Sequence, residues 1–143
     1  MSQSPTFDPD AFAELGQYRH IGESLLYAYA QTSDTKNPAA ARDILSDAVV
    51  VFGDTRLESP EAIEAHFTKL WSPPEPHRHA ITNVQVFQAG EPERFILTAN
   101  YERDEYRPDP VRTTLGVYTV TIGRLQGRWR ILELNINRVW HKP

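Results

Sequence analysis

The hydrophobic pattern changes period once along this chain, dividing it into a helical first half and an extended second half. From Asp8-Pro9 to about residue 31, Phe12, Leu15, Ile21, Leu25 and Tyr29 recur at helical spacing. Asp8 can cap free N–H groups and Pro9 suits a first turn, so a helix is predicted, whole or broken near Gly16 or Gly22. Ser33-Asp34-Thr35-Lys36 reads as a turn, and Asn37-Pro38 repeats the cap-then-proline signal ahead of a short helix over 39–45. The β-branched run at 48–52, closed by Gly53-Asp54, predicts a buried strand and a tight turn. Ser59-Pro60 opens a third helix whose inner face is Ile63, Phe67 and Leu70, up to Trp71. The following Ser72-Pro73-Pro74-Glu75-Pro76 forbids its continuation.

Beyond that break the pattern is extended. Residues 79–87, 94–106, 111–123 and 128–139 are rich in Val, Ile, Thr, Tyr and Phe, with turn residues such as Gly90-Glu91-Pro92, Pro108-Asp109-Pro110 and Gln126-Gly127 between them. Four long strands joined by short turns predict an antiparallel meander. Its last strand carries Leu132, Leu134 and Ile136 on one parity and Ile131 on the other, so both faces of the sheet are expected to be covered. The helices supply one cover, and a second copy of the chain, in a homodimer through the outer face, is expected to supply the other. The architecture is α+β: a single domain over 9–143, preceded by a flexible arm at 1–8.

Composition narrows the chemistry. With 143 residues, 40% hydrophobic and 24% charged, the chain can bury one core and is too apolar for wholesale disorder. It has no cysteine, which removes disulfides and every thiolate-based metal or nucleophilic site. A net charge of -4 with scattered Lys and Arg excludes a broad nucleic-acid surface. Neither a signal peptide nor an apolar stretch long enough for a membrane span is present, so a cytoplasmic protein is expected. With no phosphate loop, nucleophile elbow or dinucleotide fingerprint, no cofactor is expected.

Three short helices interrupted by a hairpin and followed by four long strands is the element order of the nuclear-transport-factor-2-like superfamily. Specific residues agree: His79-Ala80-Ile81-Thr82-Asn83-Val84 resembles the opening of the third strand in SnoaL-like domains and in aromatic-ring dioxygenase β subunits. Gly127-Arg128-Trp129-Arg130-Ile131 resembles their final strand, and Trp129 and Trp140 stand at the spacing of two tryptophans of scytalone dehydratase. The resemblance spans about residues 10–140. It implies a cone-shaped curved sheet enclosing a pocket for a small, largely apolar or polyketide-like compound. Because this scaffold hosts isomerases, dehydratases, cyclases and non-catalytic subunits, it specifies the fold more closely than the reaction.

The resemblance also proposes residues. It makes His79 the general acid or base, a role an imidazole suits near neutral pH; the structural alternative is an edge histidine bonded to a loop carbonyl. Asp34 would fix the tautomer of that ring, or else merely order its turn. Tyr118, with Thr114, Gly116 and Val120 in phase, would donate to a developing oxyanion, or be an ordinary core tyrosine. If His79 points inward, period two sends Ile81, Asn83 and Gln85 the same way. Tyr29, Tyr101 and Trp71 are candidate aromatic walls. Asn135 shares one face of the last strand with Glu133 and Asn137, and that row meets either the cavity or a wet interface. The dehydratase set is incomplete: Ser33 and Phe52 or Gly53 stand where tyrosines would be, and Asp104 is near the place of a second histidine. His66 is expected on an exposed face, and His77, His79 and His141 without a placed carboxylate make no metal site. A proton-transferring lyase, isomerase or cyclase and a non-catalytic binding or assembly subunit both fit these residues.

Overall fold

The computed structural model describes residues 9–142. The expected arm at 1–8 and the side chain of Phe12 lie outside the described residues. Helix α1 runs unbroken over Pro9–Asp34. Gly22 does not break it: a Cβ there would lie 2.3 Å from the buried Leu97 side chain, so this glycine lets the helix close on the sheet. Helix α2, Pro38–Ile44, and helix α3, Pro60–Leu70, start as their caps require, with Asn37 accepting from Ala40 N and Ser59 from Ala62 N. Between them, β1 (Val49–Phe52) and β2 (Thr55–Leu57) form a hairpin across Gly53-Asp54.

The second half is the expected meander: β3 (His77–Gln88), β4 (Arg94–Glu105), β5 (Arg112–Leu125) and β6 (Arg128–His141), each antiparallel to the next. The hairpin then joins β6 through β1, which runs parallel to it, giving a mixed six-stranded sheet in the order β2-β1-β6-β5-β4-β3. The core lies between the helices and the inner face, where Leu26 and Phe67 meet Leu97, Val120 and Leu134.

Two irregularities in the sheet decide which residues face that core. A register shift between Thr121 and Ile122 turns both Ile131 and Leu134 inward, although their spacing puts them on opposite faces. The polar row of β6 therefore faces outward, and with it Asn135, which pairs with the exposed Thr119. A second shift between Thr82 and Gln85 does the same to β3: His77, His79 and Ile81 face inward before it, whereas Val86 is the buried residue after it. Asn83 sits within this shift, exposed and in the left-handed conformation (φ 57°), which Asn tolerates better than most residues. The parity that places Asn83 and Gln85 beside His79 is broken by this bulge.

Candidate active site

The last turn of α1 lies against the start of β3, and four residues stitch them together in pairs. His79 Nδ1 lies 2.7 Å from Asp34 Oδ1, and the His79 backbone N–H donates to Oδ2 at 3.1 Å. A carboxylate only accepts, so Nδ1 carries a proton, and in the neutral ring it is Nε2 that presents the lone pair. That second nitrogen has no hydrogen-bond partner among the described residues, while the side chain is only 5% exposed. Burial alone would raise Asp34, but the hydrogen bonds from His79 and the charges of both histidines hold its carboxyl below the ordinary value. The carboxylate is at the end of α1 rather than in a turn, and Lys36 fastens the segment to the proline-rich loop by donating to the carbonyls of Pro73 and Glu75.

One pair up, His77 is fully buried and Ser33 almost so. Arg103 Nη2 donates to His77 Nδ1 at 3.2 Å, which leaves Nε2 to carry the proton and donate to Ser33 Oγ at 3.0 Å. Burial first, then the guanidinium and the neighbouring His79, push the His77 pKa down to about 4. This residue was visible in the sequence only as half of a His-x-His pair. Ser33, where the dehydratase pattern has a tyrosine, is thus a working partner of His77.

Stability should respond to pH through His77. From its ordinary value of 6.5 down to about 4, the unfolded chain takes up a proton that the folded one refuses. The contribution is complete above about pH 6.5 and is lost as pH falls towards 4. Asp34, lowered from 3.8, adds its own loss only below that window. A thermal melt series between about pH 7 and 4.5 should show Tm falling, and His77→Asn should flatten the slope. Some slope persists through His66, also pushed down by burial. A variant slope equal to that of the parent chain would contradict this assignment.

Across the ladder, His79 faces Arg103, which faces Thr114, which faces His141; the next row is Ile81, Tyr101, Gly116 and Arg138. Tyr101 lies over Gly116, where a Cβ would come within 2.3 Å of its ring. That close approach lets Tyr101 stack on Tyr118 with centroids 4.4 Å apart, and Tyr29 closes on Tyr118 edge-on at 6.1 Å. His79 lies 6.1 Å from the Tyr101 ring. All three tyrosines are buried, burial raises their pKa, and no hydroxyl among them has a hydrogen-bond partner among the described residues. They stay protonated donors at neutral pH.

The structure thus gathers Asp34, His79, Tyr29, Tyr101 and Tyr118, together with the buried Thr114 and Gly116 in phase with Tyr118. Trp71 belongs to the core, stacked on Phe67 at 4.6 Å. Asn83 and Asn135 stand apart, the first exposed at the bulge and the second half-buried on the outer face. Asp104 accepts from Thr113 at 2.8 Å, and the inward residue beside it is Arg103. His66 is not on an open face: it lies against Phe52 and Phe67, with Nε2 buried and unpartnered.

Asp34, His77 and His79 bring donor atoms within 4.8 Å of one another, a trio able to hold an ion. Their hydrogen bonds argue for another use. Both Asp34 oxygens accept from His79, and His77 Nδ1 accepts from a guanidinium, so a cation would displace these bonds beside a fixed positive charge.

Comparison with known proteins agrees with the fold. The SnoaL-like domain model matches residues 13–135. A candidate scytalone dehydratase from Novosphingobium aromaticivorans superposes with a TM-score of 0.76 at 14% identity, covering 90% of this chain and 88% of its own. The hexachlorocyclohexane dehydrochlorinase LinA-type3 from Novosphingobium barchaimii gives 0.75 at 17%, covering 89% and 90%. A candidate aromatic ring hydroxylase from Novosphingobium aromaticivorans gives 0.74 at 23%, covering 87% and 91%. No curated protein sequence matches the chain. No helix among the described residues is long and apolar enough to cross a membrane.

Proposed function

The chain belongs to the SnoaL-like domain family, and from that premise we propose that it is a lyase, isomerase or cyclase moving a proton on a small, largely apolar compound without a cofactor. The observation that carries this reading is the Asp34–His79 pair, 2.7 Å apart, with the opposite ring nitrogen unpaired. Nε2 takes a proton from substrate carbon, Asp34 holds the tautomer and stabilises the imidazolium, and Tyr118 donates to oxygen charge as it forms.

The test is a turnover screen of small carbonyl, hydroxylated and halogenated ring compounds, read by mass spectrometry. A compound converted by the chain should be converted about 10²- to 10⁴-fold more slowly by His79→Ala. Unchanged conversion would end the proposal.

A second reading, a non-catalytic binding or assembly subunit similar to a dioxygenase β subunit, draws support from Ser33 and from Phe52 or Gly53, which stand where the dehydratase pattern has tyrosines. Co-purification with a larger catalytic chain, and no turnover in the screen, would favour it. In either case we propose a homodimer through the outer sheet face. Leu115 and Trp140, paired across β5 and β6, are 38% and 50% exposed, and Val139 beside them is 65% exposed. Light scattering should give twice the chain mass; the mass of one chain rules the dimer out.

A further inference from the structure

Arg103 is the charged group of this site that the proton-transfer reading leaves without a task. It faces His79 directly across the β3–β4 ladder, and opposed side chains in such a pair have Cβ atoms about 5 Å apart. Its side chain is 23% exposed. Of its five N–H donors, those on Nη2 are engaged, by His77 Nδ1 at 3.2 Å and Glu105 at 3.7 Å; Nε and Nη1 have no partner among the described residues. Nor is the charge cancelled by Glu105, whose other oxygen is held by Arg107 at 2.8 Å and which also lies in the field of Arg112. Three guanidinium groups share one carboxylate. Tyr29 and Tyr118 stand close enough to interact electrostatically with Arg103, and their hydroxyls are unspent. One side of the site is therefore an array of unused donors around a fixed positive charge, and the other side is the acceptor Nε2 of His79.

We propose that Arg103 anchors a substrate oxygen that becomes negative during the reaction, so that the substrates are enolisable carbonyl compounds rather than hydrocarbons or simple haloalkanes. This rests on the proton-transfer reading and adds the substrate class. His79 Nε2 removes the proton from the carbon next to the carbonyl. The C–H electron pair becomes the C=C bond of an enolate, and the carbonyl π pair moves onto oxygen. Arg103 and a tyrosine hydroxyl donate to that oxygen. In a β,γ-unsaturated compound the enolate is extended and takes the proton from His79 back at the γ carbon; where the β carbon bears a hydroxyl or halide, the enolate pair forms the Cα–Cβ double bond, the carbonyl is restored, and the departing group leaves with the proton held by His79, so electrons and protons balance with no further reactant.

The test uses the full chain and two probes that share a nitroaryl ring: 4-nitrophenol, whose phenolate mimics an enolate, and its neutral methyl ether 4-nitroanisole. The wild type should bind the phenolate at least about tenfold more tightly than the ether, and the bound phenol should ionise at lower pH, read from its absorbance. Arg103→Gln should abolish that preference while leaving 4-nitroanisole affinity within about twofold; Arg103→Lys, which keeps the charge but not the planar fork, should retain part of it. Circular dichroism of both variants should match the parent chain. No preference in the wild type, or one that survives Arg103→Gln, overturns the anchor. The His79→Ala turnover result is independent. If conversion depends on His79 but the preference does not depend on Arg103, the anchor alone falls. If the preference depends on Arg103 while conversion ignores His79, the anion site stands and the substrate class loses its catalytic premise.

Discussion

Asp34→Asn is expected to lower turnover of a converted compound by about 10²- to 10⁴-fold while leaving the fold in place. The substitution keeps the shape of the side chain but replaces an acceptor-only group with an amide that can donate. Either the amide oxygen accepts from Nδ1–H, without the charge that stabilises the imidazolium, or its NH₂ donates to Nδ1 and forces the proton onto Nε2. In the second state the base has lost its lone pair. In the first state the NH₂ also stands where an oxygen accepted from the His79 backbone N–H at 3.1 Å, so His79 is held less firmly as well. The measurement is kcat against pH: the plateau should drop, with little change in Tm. A fall in Tm that tracks the fall in rate would instead assign Asp34 to holding α1 on β3.

Gly116→Val is expected to destabilise the protein by about 1–3 kcal/mol, lowering Tm by about 3–10 °C, and to disorganise the tyrosine wall. Gly116 is an extended strand residue, so valine meets no backbone strain; the cost is steric. The added Cβ would lie 2.3–2.5 Å from the far edge of the Tyr101 ring. That ring is 5% exposed and stacked on Tyr118, which is 1% exposed, so neither can swing aside cheaply. Near-ultraviolet circular dichroism should lose tyrosine signal along with the melting shift. A double variant, Gly116→Val with Tyr101→Ala, should recover part of the loss, because the cavity left by one change receives the bulk added by the other. An unaltered Tm in the single variant would mean that the ring does not lie over residue 116.

The fold was legible because its signals are local. Asp-Pro, Asn-Pro and Ser-Pro announce helix starts, a proline run ends α3, and β-branched runs between turn residues give four long strands. The Asp34–His79 pairing was legible only through resemblance, since the two residues are 45 positions apart and nothing in their spacing couples them. His77 had a signal, two residues before His79 on the same strand face, but nothing local showed that its partners would be Ser33 and Arg103.

Neighbouring residues alone set the helix-then-strand order, the caps of α2 and α3 and the shared strand phase of Tyr118 and Gly116. Each follows from neighbouring residues and a fixed repeat. Tertiary structure alone decided which way Asn83, Ile131 and Asn135 point, because one extra residue in a strand reverses its parity and the bulge is set by cross-strand register. It also decided that β1 lies parallel to β6 and that Arg103 faces His79. Those are pairings between distant segments, fixed by how the whole sheet closes over one core rather than by the residues beside them.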